Sequence, residues 1–144
     1  MAENDQKVII IPCSGIGRVF GSVGREAAYL VVDELRPEKT ETVCLSLLVM
    51  GDEEARARVQ AHPTIAIDGC PKACAQKNIA LAGGQVGAAA PVFQVFKEYR
   101  ALKSYAITVL DEKGRLLAQL VAERVADKVD ELLNGQTPAE DEVN

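Results

Sequence analysis

The feature that most constrains the fold is the run KVIIIP at residues 7–12. Its β-branched residues favour a strand, and the lack of polar alternation indicates that both faces of this strand are buried. Strands of this kind are typical of parallel sheets that are covered by helices on both sides. The segments ETVCL (41–45) and TIAID (64–68) predict two further short strands. The run therefore points to an α/β fold.

Helical patterns follow each of these predicted strands. Ser22 can cap a first helix that ends at Leu35, and Asp52 is a suitable N-cap for a second helix. Pro71 predicts the first position of a third helix over roughly 71–82, where its missing N–H has no cost. Three successive strand–loop–helix units favour right-handed crossovers. The sequence thus predicts a small three-layer Rossmann-like α/β domain with a mostly parallel sheet.

The C-terminal half gives weaker signals. The segment GQVGAAA is expected to be a linker, and PVFQVF (91–96) a fourth strand. Residues 97–115 fit either a hairpin or a strand followed by a helix. A long amphipathic helix then closes the domain at Asn134-Gly135. We expect one domain over 1–135 and a disordered acidic tail over 136–144.

Composition excludes several classes of function. The 144 residues are 48% hydrophobic and 26% charged, which is enough for a core that forms without a metal ion. The net charge is −5, and no basic run is present, so nucleic acid is not an expected partner. No apolar stretch approaches a membrane span, and the polar N-terminus is unlike a signal peptide. We expect a cytoplasmic protein. Nothing in the sequence demands a dimer, and the sequence reveals neither a protein partner nor the oligomeric state.

The four cysteines fall at equivalent places on the predicted frame. Cys13 follows the first strand, Cys44 ends the second and Cys70 follows the third, while Cys74 lies in the next helical turn. The carboxyl edge of an open α/β sheet is where ligands bind. Free cysteine is also a common small core residue. A role as core residues would not, however, explain why three strands deliver a thiol at the same edge.

The motif DGCPKAC at 68–74 brings two of these thiols together. We expect Cys70 near the N-cap and Cys74 about one helical turn away on the same face. The positive end of the helix dipole would favour the thiolate, which is the form that binds metal or attacks. Gly69 removes side-chain bulk where the strand meets the helix. The motif therefore predicts half of a four-thiolate site that Cys13 and Cys44 complete.

The glycine loop and the only histidine give weak evidence about function. Gly15 and Gly17, with Gly21, are one residue off the dinucleotide fingerprint, and no GK[ST] follows. We expect Gly15 and Gly17 to let the backbone approach a ligand that Cys13 holds. His62 is expected at a helix end ahead of Pro63. A zinc site built on several histidines is excluded by count.

Three segments together resemble one known family. IPCSGIGRVFGSVGREAAY, the isolated cysteine in ETVCLSLL and the motif DGCPKAC are similar to the DGC-domain family, whose members are described as zinc-binding. The resemblance covers roughly 7–82 and weakens towards 133. It implies that Cys13, Cys44, Cys70 and Cys74 are metal ligands, but it names no reaction.

Three functions stay open at this point. Zinc suits four thiolates in tetrahedral geometry at about 2.3 Å, in a sensing, trafficking or structural role. Four cysteines also hold iron–sulfur clusters, which would indicate electron transfer or sulfur chemistry. A thiol redox enzyme would use Cys70 as nucleophile and Cys74 as resolving thiol. The usual redox spacing is C-x-x-C, and two cysteines would then have no role.

Overall fold

A four-stranded parallel sheet forms the centre of the described structure. The computed structural model describes residues 6–13, 18–69 and 71–135. The strands are β1 Val8–Pro12, β2 Thr40–Thr42, β3 Thr64–Ile67 and β4 Val86–Ala89. Their order in the sheet is β2-β1-β3-β4, and every pair is parallel.

Helices follow the strands on both sides of this sheet. They are α1 Val19–Leu30, which continues as a π-helical turn over Val31–Leu35, then α2 Leu45–Met50, α3 Glu53–Ala61, α4 Cys74–Leu81, α5 Val92–Glu98 and α6 Glu112–Leu133. A 3₁₀ turn over Arg100–Leu102 follows α5.

The side chains of β1 show why the sheet needs both layers. Val8 and Ile10 pack with residues of α1, α5 and α6 in one buried cluster. Ile9 and Ile11 point to the other face and pack with α2, α3 and α4. All four side chains are fully buried. The predicted three-layer α/β domain is therefore confirmed.

The order of the strands creates a switch point at the carboxyl edge. After β1 the chain crosses to β2 through α1 on one face, and after β2 it crosses to β3 through α2 and α3 on the other. β1 and β3 are neighbours, yet their following helices, α1 and α4, lie on opposite faces. Such a point leaves a crevice at the carboxyl ends of the two strands.

Two predictions for the segment before α5 are wrong. VGAA is strand β4 and not a linker, because it pairs with β3 through Thr64↔Val86 and Ile65↔Ala88. Its small residues suit the end of α6, since a Cβ on Gly87 would lie 3.0 Å from the Leu132 side chain. Close approach of a helix therefore overrides the low strand propensity of glycine and alanine.

PVFQVF is helix α5 and not a fourth strand. Val92 and Val95, one helical turn apart, are fully buried against the α1–α6 face. A short apolar run such as this one is compatible with either a buried strand or a buried helix, and in this structure it forms a helix. Neither the hairpin nor the strand predicted within 97–115 forms. The chain instead runs irregularly from 103 to α6, which Asp111 caps by accepting the Gly114 N–H at 2.8 Å.

Several predicted helix boundaries shift, while others hold. The first helix begins at Val19, so Ser22 lies inside α1 and does not cap it. Asp52 caps α3 as predicted, because its carboxylate accepts the Ala55 N–H at 2.9 Å. His62 is the C-cap of α3, also as predicted. Among the described residues, no helix combines the length and the apolar character that crossing a membrane requires. The predicted tail at 136–144 lies outside the described residues.

Candidate functional site

Cys13 lies at the switch point between β1 and β3. Its N–H donates to the carbonyl of Ile67 at 2.9 Å, which continues the pairing of the two strands by one residue. Its half-buried side chain packs against the cluster shared by α2, α3 and α4. The backbone of this cysteine is therefore fixed by the sheet and is not part of a free loop.

Cys44 is the N-cap of α2 and not the last residue of a strand, because β2 already ends at Thr42. Its thiol is exposed and is not part of a disulfide. The backbone N–H groups of Leu47 and then Ser46 lower the pKa of the Cys44 thiol below its usual value. Cys44 therefore combines an exposed thiol with a lowered pKa, and both properties favour reaction or binding as the thiolate.

Cys74 is the first residue of α4, which begins three residues later than predicted. Pro71 and Lys72 form a turn, and Ala73 takes a left-handed conformation with φ of 54°. Cys74 therefore does not lie inside a helix that begins at Pro71, and the placement predicted for Cys70 near the N-cap lies outside the described residues. The thiol of Cys74 is half-buried and is not in a disulfide.

Asp68 caps α4 from six residues upstream of its first residue. Its Oδ1 accepts the Ala75 N–H at 2.8 Å, and its Oδ2 accepts the Gln76 N–H at 3.3 Å. These are the N–H groups that an N-cap side chain normally satisfies. Ala73 occupies the N-cap position and has no side chain that could do so. The acidic residue of the DGC motif therefore holds the start of the helix that carries Cys74.

Asp68 also joins α4 to α5. Its carbonyl oxygen accepts the Val92 N–H at 2.9 Å, at the start of α5. The residue is only 3% exposed, and this burial raises the pKa of its carboxyl group. The N–H donors of Ala75 and Gln76 oppose that rise, since they favour the charged form. One buried residue thus fixes two helix ends at the carboxyl edge.

Gly69 brings the turn after β3 against α1. A Cβ at this position would lie 3.0 Å from the carbonyl carbon of Phe20 and 3.1 Å from the nitrogen of Gly21. Both atoms belong to the backbone and cannot rotate away. Glycine is therefore required by close packing against the first turn of α1, which gives a physical reason for the predicted loss of bulk.

The three described thiols share one side of the sheet at its carboxyl edge. Cys13 contacts the cluster of α2, α3 and α4, while Cys44 and Cys74 stand at the starts of α2 and α4. Cys70, together with Gly15 and Gly17, lies outside the described residues.

The described thiols are not gathered into a ligand set. Within 6–13, 18–69 and 71–135, no group of three or more Cys, His, Asp or Glu side chains is placed to hold a metal ion. In chemical type these three thiols suit a soft metal. The four-thiolate cluster itself therefore stays a prediction.

Sequence reasoning missed the capping role of Asp68. A signal was present, because no Ser, Thr, Asn or Asp stands at 71–73 while Asp68 stands shortly before. A helix that lacks a local cap needs a partner for its first N–H groups from elsewhere. The nearest carboxylate upstream was therefore the natural candidate.

Comparison with known proteins identifies one family. No curated protein and no solved structure shows significant similarity to the chain. The family model of the DGC domain matches residues 9–121, a span that includes the four cysteines and Asp68. This family is consistent with a metal-binding role. Because the match covers well over half of the 144 residues, the chain belongs to the DGC-domain family.

Proposed function

We propose that the protein binds a zinc ion through the thiolates of Cys13, Cys44, Cys70 and Cys74, in a sensing, trafficking or structural role. One observation carries the proposal. The three described thiols arise from separate elements, yet all lie at the carboxyl edge on the side of α2 and α4. That edge is where open α/β sheets bind ligands.

The chemistry of the donors supports zinc. Thiolate sulfur is a soft ligand that favours Zn²⁺ and iron–sulfur clusters over Mg²⁺ or Ca²⁺. A metal must displace the thiol protons, so the lowered pKa of Cys44 reduces that competition. A shell of four sulfurs leaves no open position for water, which is a property of zinc sites that do not catalyse hydrolysis.

Binding would have to bring the described thiols together. Cys13 is held by the β1–β3 pairing, so the expected movement is in the elements that carry the other thiols. Cys44 stands in an exposed position before the six-residue helix α2. We therefore expect metal binding to shift α2 more than the strands.

The test is the metal content of protein purified without oxygen. We expect about one zinc ion per chain and no colour. Brown protein that contains iron and acid-labile sulfide would reject zinc and favour the iron–sulfur alternative. Metal-free protein that neither regains zinc nor iron, and that forms a Cys70–Cys74 disulfide on mild oxidation, would favour the thiol redox alternative.

Single cysteine variants test the ligand set. Cys13→Ser, Cys44→Ser, Cys70→Ser and Cys74→Ser should each weaken zinc binding in a competition titration with a chelator. His62→Gln is the matched control, because it removes the only histidine, which caps the C-terminal end of α3. A cysteine variant that binds zinc as tightly as the His62 control does would remove that residue from the ligand set.

A further inference from the structure

A cleft of about 400 Å³ lies beside the DGC turn, on the α1 side of the sheet. Its walls are the first turn of α1, with Val19 and Phe20, and the irregular segment that holds Tyr105 and Ile107. Gly69 also lines the cleft. Small-molecule sites are concave regions of roughly 300–1,000 Å³, so this volume falls within their range.

The lining combines apolar walls with one cation. Val19, Phe20 and Ile107 are apolar, and Tyr105 adds an aromatic ring. Arg18 is the one charged residue among the described residues that line the cleft, and it is exposed. Its backbone is extended, immediately before α1 begins. The cleft therefore presents apolar walls with Arg18 as the charged residue of its lining, and the Lys103 Nζ lies 5.2 Å from the centre of the Tyr105 ring.

The wall opposite α1 is held in place although it has no regular structure. The Ser22 hydroxyl donates a hydrogen bond to the carbonyl of Ile107, which ties this segment to α1. Ser104 is only 6% exposed, and its hydroxyl accepts the Ala106 N–H at 3.2 Å. Both hydrogen bonds involve backbone groups of the segment or the Ser104 hydroxyl, and neither involves the side chain of Ile107. The Ile107 side chain is thus left to face the cleft.

Two side chains of this wall are open to solvent. Tyr105 is 78% exposed and Ile107 is 42% exposed. Apolar surface of this kind, when it lines a concave region, is typical of a ligand-binding site. The chain itself does not cover it within the described residues.

We propose that this cleft binds a small organic anion, with its apolar body against Phe20 and Ile107 and its charged group at Arg18. The charge of Arg18 selects an anion, and the apolar walls select a ligand that is more than an inorganic ion. The proposal goes beyond metal binding and does not rest on it. It places a second ligand against Gly69, the residue that precedes Cys70 in the chain.

A pair of fluorescent probes tests the charge requirement. 1-Anilinonaphthalene-8-sulfonate is an apolar anion, and 1-anilinonaphthalene has the same rings without the sulfonate. We expect one saturable site for the anion in the wild-type protein. Arg18→Gln should weaken anion binding about two- to fivefold, as is typical of an exposed charge pair, and leave the neutral probe unchanged.

Arg25→Gln is the matched control for this charge. Arg25 lies in α1, the helix that follows Arg18, but not in the lining of the cleft. Its loss changes the net charge equally, so a general electrostatic effect would appear in both variants. Equal weakening in Arg18→Gln and Arg25→Gln would overturn the proposed role of Arg18.

A second pair of variants tests the apolar wall. Ile107→Asp replaces an apolar wall residue by a negative charge, so it should weaken binding of the anion about tenfold, by lost apolar contact and charge repulsion, and binding of the neutral probe by less. The hydrogen bond from Ser22 uses the Ile107 carbonyl, so this substitution keeps it. Val109→Asp is the control, since Val109 is 78% exposed in the same segment and does not line the cleft.

The outcomes separate this proposal from the metal site. Circular dichroism should first show that each variant is folded. Unchanged probe binding in Ile107→Asp, or equal loss in Val109→Asp, would place the probe elsewhere and overturn the proposal. Binding should persist in a Cys13→Ser, Cys74→Ser double variant that no longer binds zinc. Loss of the probe in that folded variant would also overturn the assignment to this cleft.

Discussion

Replacing Asp68 offers the most direct test of how the carboxyl edge is built. The Asp68 carboxylate is buried and accepts the N–H groups of Ala75 and Gln76 at 2.8 and 3.3 Å. Asp68→Ala leaves both donors without this acceptor at the start of α4. The variant should therefore unfold more easily, and the amide hydrogens of Ala75 and Gln76 should exchange faster with solvent.

The magnitude follows from two opposing effects. Hydrogen bonds to a charged acceptor contribute roughly 1.5–3 kcal/mol each, and loss of a helix cap costs about 0.5–2 kcal/mol. Burial of the carboxylate offsets part of this gain, which is why the pKa of Asp68 is raised. We expect Asp68→Ala to lower the free energy of unfolding by about 2 kcal/mol. Asp68→Asn keeps one acceptor oxygen and should cost about 1 kcal/mol.

Urea unfolding followed by circular dichroism measures these differences. Asp52→Ala is the matched control, because Asp52 caps α3 with a single bond to the Ala55 N–H and is only partly buried. Asp52→Ala should lower the free energy of unfolding by about 1 kcal/mol, which is less than the effect of Asp68→Ala. The reasoning fails if Asp68→Ala is no more destabilising than Asp52→Ala, or if exchange at Ala75 and Gln76 is unchanged.

The same residue predicts a pH dependence. The pKa of Asp68 in the folded protein lies above its usual 3.8, so the folded state binds this proton more tightly. The extra stability that protonation of Asp68 gives the folded state is therefore fully present below pH 3.8 and is lost as the pH rises through the folded pKa, while the hydrogen bonds from Ala75 and Gln76 to the carboxylate remain. Wild-type stability relative to Asp68→Asn should fall over this interval. A difference that rises with pH would contradict the raised pKa.

Three further outcomes can be measured on the same protein. Gly69→Ala should lower the free energy of unfolding by about 1–3 kcal/mol, because its Cβ would meet the backbone at 3.0 Å. Among the three described thiols of metal-free protein, Cys44 should react fastest with iodoacetamide, as mass spectrometry can follow, because it is exposed with a lowered pKa. Asp130→Asn breaks the two-bond pair with Arg36 and should cost only about 0.5–1 kcal/mol in urea unfolding, since both side chains are partly exposed. Arg36 lowers the pKa of Asp130, so that contribution is present above pH 3.8 and is lost as the pH falls through the folded pKa, which acid titration of the variant should show.

The sheet could be predicted from sequence where its strands are buried on both faces. Val8–Pro12 and Thr64–Ile67 contain short runs rich in β-branched residues, which favour a strand that is covered on both faces. Val86–Ala89 has no such run. Its residues are small because the end of α6 packs closely against this strand. The two residues in this contact, Gly87 and Leu132, are 45 positions apart in the sequence, so no local sequence pattern predicts it.

The position of the candidate site at the carboxyl edge of the sheet could be predicted from sequence, but the local geometry of its turns and helix ends could not. Placing a cysteine after each strand needed only the strand ends, and the structure puts Cys13 and Cys44 close to where they were expected. The start of α4 was misplaced because Pro71 is a good first residue of a helix. A helix starting there would have no side-chain cap nearby, whereas one starting at Cys74 reaches the Asp68 carboxylate. The long-range cap decided the boundary over local preference.

The apolar layers of this domain are complete without a metal, and that bears on what a metal would do. Ile9 and Ile11 are fully buried by α2, α3 and α4, while Val8 and Ile10 are fully buried by α1, α5 and α6. The carboxyl edge has its own protein contacts through the Asp68 carboxylate. Structural zinc contributes most where a small unit lacks such a core. A metal bound at this edge would therefore add little to the stability of the sheet, and its main effect would fall on the short elements that carry the thiols.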